Sequence, residues 1–227
     1  MAKGLTRAHI VTEALALLDD VGIDGVTVRA LAERLGVRAP ALYWHVRDKQ
    51  DLLDEMGTEV QRRVQAAIAG LAADTGWRDG LSAYARALRA EYLAHRDGAR
   101  TFSGTRLTDP EVLRAQEPWL RAWTAAGLDL RDLIDAAELV TSFVVGFVIE
   151  EQERAQSSDE RYSVEERDRR LGEGVPLVTA SAHRRGDSGA RFERQLGLVM
   201  SGLGTALAPA DPARRQARGG RGMQASG

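Results

Sequence analysis

The chain has 227 residues, of which 44% are hydrophobic, and a formal net charge of −2 at pH 7. It contains no cysteine, which excludes disulfides and thiolate zinc sites and suits a reducing cytoplasm. No stretch approaches the roughly 20 apolar residues of a membrane span, and the N-terminus lacks the apolar segment of a signal peptide. We therefore expect a soluble, cytoplasmic protein with no membrane partner.

Charge is distributed unevenly along the chain. Residues 1–50 carry a net charge of about +1, residues 208–227 about +3, and the segment between them about −6. A mildly basic N-terminal unit on an acidic remainder is compatible with a site-specific DNA-binding protein that makes few phosphate contacts. The same distribution argues against a protein that coats DNA generally.

The first predicted helix runs from about Arg7 to Val21. Thr6 is expected to cap it, and Gly22 and Gly25 are expected to end it. Its apolar positions recur with helical spacing and predict one buried face. These positions are Ile10, Ala14, Leu17, Leu18 and Val21.

Two further helices are predicted on either side of a tight turn at Gly36. The earlier helix has apolar residues at i, i+3, i+4 and i+7 (Val28, Leu31, Ala32 and Leu35), and Thr27 can cap it. Gly36 can adopt the left-handed conformation that closes a helix, and Pro40 fits the first turn of the next helix. Leu42 and Val46 would hold that helix against the preceding one. The pattern predicts a helix-turn-helix, whose second helix fits the major groove of B-form DNA.

A fourth helix is predicted to begin at Asp48 and to extend to residue 68, with Asp51 in its first turn. The remaining helices are predicted from Trp77 to about His95, briefly within residues 95–106, from about Asp109 to Ala126, from Leu130 to about Arg154, over residues 165–171 and from Arg191 to Leu207. Residues 155–164 and 172–190 are polar and rich in charge, which predicts a mobile surface excursion.

The helix that begins at Leu130 is apolar nearly all round beyond Leu139. Such a helix must be covered on every face, and its own subunit can cover only part of it. We therefore expect a homodimer held by this helix and the last one. The four arginines and the glycines of residues 208–227 predict a disordered basic tail.

The run from Pro40 to Leu53, Pro-Ala-Leu-Tyr-Trp-His-Val-Arg-Asp-Lys-Gln-Asp-Leu-Leu, closely resembles the recognition-helix segment of the TetR family of bacterial repressors. His95–Arg100, Gly104–Arg106 and Glu150–Glu153 are similar to the ligand domain of its tetracycline-responsive members, in the same order. The resemblance implies an all-α, Ω-shaped homodimer. It implies a three-helix DNA-binding domain with a helix-turn-helix (1–47), a ligand-binding and dimerisation domain (48–207) whose residues 48–68 form the connecting helix, and the tail (208–227).

By the same resemblance, Arg29 matches a base-reading arginine. Arg38 and Ala39 replace a glutamate and a glutamine of the tetracycline-responsive members, and an arginine can bind guanine through two acceptors whereas an alanine can at most touch a thymine methyl. We therefore expect a different operator. The alternative for Tyr43 and Trp44 is that they are core aromatics. The predicted DNA-binding residues are Thr27, Arg29, Arg38, Ala39, Pro40, Ala41, Tyr43, Trp44, His45 and Lys49.

The predicted ligand site departs further from the tetracycline-responsive members, which bind the drug with magnesium. Thr105 and Glu150 stand where those members contact magnesium, but Phe102 replaces the magnesium-ligating histidine, and a phenyl ring cannot coordinate a metal. We expect no cofactor and no metal site, with Thr105 and Glu150 as ligands only if a divalent cation arrives with a chelating tetracycline. The predicted ligand-binding residues are Gln65, Tyr84, Leu88, Phe102, Thr105, Pro118, Trp119, Trp123, Ser142, Phe143, Phe147 and Glu150.

The resemblance thus implies a repressor that binds a palindromic operator on double-stranded DNA and is released by a small-molecule inducer. That inducer would be more apolar or aromatic than magnesium-tetracycline, with Trp119, Trp123, Phe143 and Phe147 either as pocket walls or as plain core. A ligand would push on the loop 100–106, between the pocket and the connecting helix. The alternative is a magnesium-tetracycline-responsive repressor of a resistance gene.

Two other classes of protein are less consistent with the sequence. Glu150 and Glu151 are paired carboxylates and His95 is a candidate base, but the motifs of nucleophilic, metal-dependent and phosphate-binding enzymes are missing, so no enzymatic activity is expected. His95 is better explained as a helix-end histidine with local hydrogen bonds. A ligand-independent architectural DNA-binding protein would be more basic and would not need the apolar helix.

Overall fold

A computed structural model of the chain describes residues 5–72 and 74–207. These residues form twelve α-helices and one short 3-10 helix, without a strand. The helices are α1 (Arg7–Gly25), α2 (Val28–Arg34), α3 (Ala39–Leu42), α4 (Lys49–Ile68), α5 (Trp77–Leu93), α6 (Gly98–Phe102), α7 (Pro110–Arg114), α8 (Glu117–Ala125), α9 (Leu130–Gln156), the 3-10 helix (Asp159–Tyr162), α10 (Val164–Leu171), α11 (Pro176–His183) and α12 (Ser188–Ala206). In the described part of the chain no helix is long and apolar enough to cross a membrane. The predicted tail at 208–227 lies outside the described residues.

The N-terminal helices form as their capping residues predict. The hydroxyl of Thr27 accepts a hydrogen bond from the backbone N–H of Ala30 at 3.0 Å, and Gly36 has the left-handed φ of 65° that ends α2. Regular α1 geometry breaks at Gly22, where φ is 73°. The predicted burial of Val21 is wrong: its side chain is 45% exposed, because it lies beside Gly25 at the end of α1, just before the break in helical geometry at Gly22.

Helix α4 joins the head, which contains α1 to α3, to the body, which contains α5 to α12, and it contacts helices of both. Asp48 caps it by accepting the backbone N–H of Asp51 at 2.8 Å. The helix packs on α1, where Arg7 pairs with Glu55 of α4, and on α5. The buried side chains along it are Leu52, Leu53, Met56, Val60, Val64 and Ile68. Buried apolar side chains from α1 to α12 form one continuous core cluster, so the N-terminal helices share their packing with the rest.

The helix predicted from Asp109 to Ala126 is wrong in one respect, since the segment forms two helices, α7 and α8. The break falls between Arg114 and Glu117, just before Pro118. Proline has no N–H to donate to the carbonyl four residues earlier, and its ring would collide with that carbonyl. Pro118 instead lies in the first turn of α8, where neither cost arises.

The predicted irregular segment 172–190 contains a helix that sequence periodicity did not reveal. Helix α11 begins at Pro176 and packs on α10, which the sequence did predict. Arg167 donates to the Val178 carbonyl at 2.6 Å, and His183 Nε2 lies 2.8 Å from an Asp168 oxygen. Polar contacts between two short helices therefore order a region whose composition is typical of a loop.

A partly buried ion pair connects the long helices of the body. Arg89 on α5 donates to both oxygens of Glu151 on α9 at 3.0 and 2.6 Å, and Ser188 at the start of α12 donates to the same carboxylate at 2.6 Å. Burial raises the pKa of Glu151, but the hydrogen bonds from Arg89 and Ser188 outweigh burial and hold the pKa below its usual value. The carboxylate thus fixes α5, α9 and α12 together.

Candidate functional site

The recognition segment, residues 38–46, presents an exposed face and a buried one. Leu42 and Val46 are fully buried and hold the segment against the head. Tyr43 is 55% exposed and Trp44 is 88% exposed, so the alternative that these two aromatics pack in the core is wrong. Among the other predicted DNA-binding residues of the segment, Arg38 and Pro40 are exposed, and Ala39, Ala41 and His45 are half-buried.

Three predicted DNA-binding residues outside this segment have partners in the protein. Thr27 caps α2, and Arg29 pairs with Glu33 on the same exposed helix face at 3.2 Å. The Lys49 ammonium donates to the Ile23 carbonyl at 2.9 Å, where the chain leaves α1. Lys49 therefore fixes the end of α1 in addition to any contact with a nucleic acid.

Arginines hold the recognition segment in place. Arg34 on α2 bridges Glu13 at 2.9 Å and Asp20 at 2.6 Å on α1, and these hydrogen bonds raise the pKa of its guanidinium above the usual value. Arg7 donates to the His45 carbonyl at 3.0 Å and pairs with Glu55 of α4 at 2.7 Å. The angle of the recognition segment is thereby tied to α1 and α4.

The end of α1 is bound to the turn between α5 and α6. The Arg96 N–H donates to Asp19 at 3.0 Å, and the Ile23 N–H donates to Asp97 at 3.2 Å. His95 is 7% exposed, and its Nδ1 lies 3.1 Å from the same Asp19 carboxylate. A side chain on Gly22 would lie 2.9 Å from an Asp97 oxygen, so glycine allows this close approach as well as the positive φ.

A cavity of about 530 Å³ lies between α4, α5, α8 and α9. The Trp119 and Trp123 rings, with centroids 5.9 Å apart, form one wall, and Trp123 donates its indole N–H to the Thr75 carbonyl at 2.9 Å. The volume of the cavity is typical of sites for drug-sized molecules. The full lining consists of Gln61, Gln65, Ile68, Leu71, Gly80, Leu81, Tyr84, Gln116, Trp119, Leu120, Trp123, Leu133, Ile134, Ala137, Glu138, Thr141 and Ser142.

A few polar groups enter this largely apolar cavity. The Tyr84 hydroxyl lies 3.2 Å from the Thr141 hydroxyl. Burial raises the pKa of Tyr84, and hydrogen bonds from Thr141 and Gln61 only partly offset it, so the hydroxyl stays protonated and available as a donor. Amides of three glutamines and the carboxylate of Glu138 complete the polar groups.

The structure brings together only part of the predicted ligand set. Gln65, Tyr84, Trp119, Trp123 and Ser142 line the cavity. Leu88 and Phe102 are buried in the core, and Pro118 is exposed on α8. Phe143, Phe147 and Glu150 line a separate cavity of about 320 Å³ together with Gly146, Arg185, Arg191 and Gln195. The expectation that these residues form one site is therefore wrong for the protomer.

Several lining residues were not predicted, although their spacing carried a signal. Gln61 precedes the predicted Gln65 by one helical turn on α4, and Glu138 precedes the predicted Ser142 by one turn on α9. Residues four apart on a helix share a face, so a complete helical-face analysis would have found both. Gln116 lies in the break between α7 and α8, which the sequence interpretation missed.

The residues present do not fit a magnesium site. Phe102 is 4% exposed, and its ring packs on Tyr92 and His95 with centroid distances of 6.1 and 5.9 Å. The Thr105 hydroxyl donates to the Phe102 carbonyl at 2.8 Å, while Glu150 faces the separate cavity. No group of three or more metal-binding side chains occurs among the described residues. A hard cation requires several oxygen ligands at one point, and this protomer does not gather them.

The loop 100–106 contacts α4 but does not line the cavity, which corrects the predicted route for a ligand. The Arg106 N–H donates to Asp54 at 3.1 Å, and the Thr108 N–H donates to Thr58 at 2.9 Å. Helix α4 itself contributes Gln61, Gln65 and Ile68 to the cavity lining, whereas residues 100–106 contribute none. A molecule in the cavity would touch α4 directly.

Comparison with known proteins matches both parts of the chain. The family model described as bacterial regulatory proteins, tetR family, matches residues 10–56, and the model described as tetracyclin repressor-like, C-terminal domain, matches residues 70–207. The class A tetracycline repressor from transposon 1721 of Escherichia coli is 38% identical over 196 residues, which cover 86% of this chain and 88% of that protein.

Solved structures agree. A protein of Streptomyces coelicolor A3(2), described as a possible TetR family transcriptional regulator, superposes with a TM-score of 0.75 at 35% identity, covering 88% of this chain and all of the other. TetR from Acinetobacter baumannii AYE superposes with a TM-score of 0.71 at 30% identity, covering 89% and 98% of the two chains. The chain therefore belongs to the TetR family of ligand-responsive, DNA-binding transcriptional regulators.

Proposed function

We propose that this chain represses transcription as a homodimer bound to an inverted-repeat operator, and that it is released by an apolar or aromatic small molecule in the cavity between α4, α5, α8 and α9. The observation that carries this proposal is the course of α4. Its first turns pack in the head, and its later turns supply Gln61, Gln65 and Ile68 to the cavity wall.

The connection through α4 is short and rigid. Lys49 and Gln61 are separated by about 18 Å along a helix that rises 1.5 Å per residue. A ligand that binds more tightly when α4 is displaced would move the heads and change the spacing of the two recognition segments. A differential affinity of about 3–5 kcal/mol is enough to convert a mostly bound population into a mostly released one.

The body offers a surface for a second subunit. Leu139 on α9 and Leu198 on α12 are 54% and 73% exposed in the protomer, and both lie on helices that bury their opposite faces. Large apolar side chains in such positions are typical of an obligate interface. A two-fold axis through α9 and α12 would place two recognition segments on successive major grooves, which requires a palindromic operator.

We expect an inducer other than magnesium-tetracycline, because the buried Phe102 ring cannot coordinate a metal and Glu150 lines the separate cavity. ActR of Streptomyces coelicolor, solved in complex with (S)-DNPA, supports a change of ligand on one scaffold. A TetR variant of Acinetobacter baumannii was solved in complex with minocycline, which is itself a tetracycline and therefore supports the alternative. The alternative remains a magnesium-tetracycline-responsive repressor, which the 38% identity to the class A tetracycline repressor favours.

The decisive experiment begins with selection of operator sequences from genomic fragments by the purified full-length protein. Enrichment of an inverted repeat is expected, and loss of all sequence preference would contradict the proposal. Calorimetric titration with a tetracycline, with and without magnesium, then distinguishes the two inducers. Weak binding in both conditions is expected, whereas tight binding that disappears with a chelator would establish the alternative.

A further inference from the structure

The charged and uncharged side chains that line the cavity between α4, α5, α8 and α9 indicate which charge its ligand carries. Among the lining residues there is no lysine, arginine or histidine, and Glu138 is the charged side chain. Glu138 forms no ion pair within residues 5–72 and 74–207, whereas two other glutamates of α9 do: Glu151 pairs with Arg89, and Glu150 with Arg154. A carboxylate thus faces this space without a cation from the described protein.

Glu138 stands at the edge of the cavity rather than in its depth. It lies on α9 between Ile134 and Ser142, each one helical turn away, and all three are exposed while lining the cavity. Trp119 and Trp123 of α8 line the same cavity. A ligand whose rings contact these tryptophans inside the cavity could therefore extend one end to the carboxylate at the edge.

We infer that the inducer is a flat aromatic compound with a protonated amine, whose ring system occupies the tryptophan-lined part of the cavity and whose ammonium group pairs with Glu138. The inference rests on the proposed function, because it names the ligand of the same cavity. The indole rings stack favourably on the aromatic rings of such a ligand, and the carboxylate accepts a charge-assisted hydrogen bond from its ammonium group. An anionic ligand would meet Glu138 with no compensating cation, and the acidic body would repel it further.

Three probes with one ring system test this class. They are 9-(aminomethyl)anthracene, which is a cation at neutral pH, 9-anthracenemethanol, which is neutral, and anthracene-9-carboxylate, which is an anion. Energy transfer from tryptophan to anthracene reports binding to the full-length protein without DNA. We expect the amine to bind about tenfold more tightly than the alcohol, and the carboxylate to bind most weakly.

Two variants separate the role of Glu138 from general charge. Glu138→Gln should abolish the preference for the amine and leave the affinity for the alcohol unchanged. Asp135→Asn removes the same charge from an exposed site on α9 outside the cavity lining, and it should retain the preference. Equal binding of amine and alcohol by the wild type, an equal loss in both variants, or no binding of any probe would overturn the inference. Operator binding is measured separately and tests the proposed function independently of these probe titrations.

Discussion

Replacing Arg38 with alanine should remove sequence preference at one base pair in each operator half-site. Arg38 is the N-cap of α3 and is exposed, and its side chain makes no capping hydrogen bond. The N-terminal residues of a recognition helix are those that meet base edges. The substitution should therefore change the free energy of unfolding by less than about 0.5 kcal/mol, so that any change in DNA affinity comes from the interface.

The size of the effect follows from the contact that an arginine can make. Bidentate binding to guanine discriminates against the wrong base by about 1–3 kcal/mol. A symmetric dimer makes the contact twice, so the whole operator should lose about 2–6 kcal/mol if the half-sites add. Fluorescence anisotropy at fixed salt, with each base pair of the selected operator varied in turn, measures both the loss and its position.

Lys49→Ala supplies the contrast for this experiment. Because Lys49 donates to the Ile23 carbonyl, its loss should cost about 1 kcal/mol of stability. It should also weaken binding to all sequences alike and flatten the salt dependence, as expected for a phosphate contact. A uniform, salt-dependent loss in Arg38→Ala would refute base reading by Arg38 and place its guanidinium on the phosphate backbone.

Other substitutions test the remaining parts of the molecule. Leu198→Glu should place a charge in the proposed interface and yield monomers in light scattering at micromolar concentration; a persistent dimer would exclude α12 from the contact. Glu151→Gln should cost about 2 kcal/mol at pH 7 in urea unfolding at fixed protein concentration, since Arg89 loses its partner. Because the pKa of Glu151 is lowered on folding, its stabilisation is complete above its unfolded pKa of about 4.3 and is lost as pH falls through the lower folded value, so the two proteins should converge in acid. An unchanged difference at low pH would contradict this. Asp97→Ala removes the acceptor of the Ile23 N–H and should increase amide exchange at the end of α1 without a change in cavity binding.

The N-terminal helices could be predicted from sequence because their determinants are local. Thr27 and Gly36 act within a few residues of their own positions, through a capping hydrogen bond and a left-handed backbone. Helix α9 was equally evident from its length and apolar content. Periodicity failed where one residue overrode it, as at Pro118, and where helix formation depends on contacts between segments, as between Arg167 of α10 and Val178 of α11.

The cavity lining was harder to predict than the helices, because residues that are adjacent in the sequence of one helix point in different directions. Phe143 and Phe147 lie on the same helix as Ser142, yet they face Phe192 of α12, while Ser142 lines the cavity that contains the two tryptophans. One helical residue turns the side-chain direction by about 100°, so a set carried over by position includes both faces of α9. Choosing between those faces requires knowing which helices pack on each one.

The same geometry explains how one helix can serve both parts of this regulator. Successive turns of α4 bury Met56 among the head helices and direct Gln61 to the cavity, while Thr58 accepts the backbone of the loop after α6. The end of α1 is held separately at the turn before α6, where Asp19 of α1 accepts the Arg96 N–H and Asp97 of the turn accepts the Ile23 N–H. Displacing α4 alone would strain the contacts at the end of α1, since the same head is fixed at two points. Under the proposed function, we therefore expect a ligand that displaces α4 to rotate the head about the α1 junction, which would change the separation of two recognition segments across a dyad.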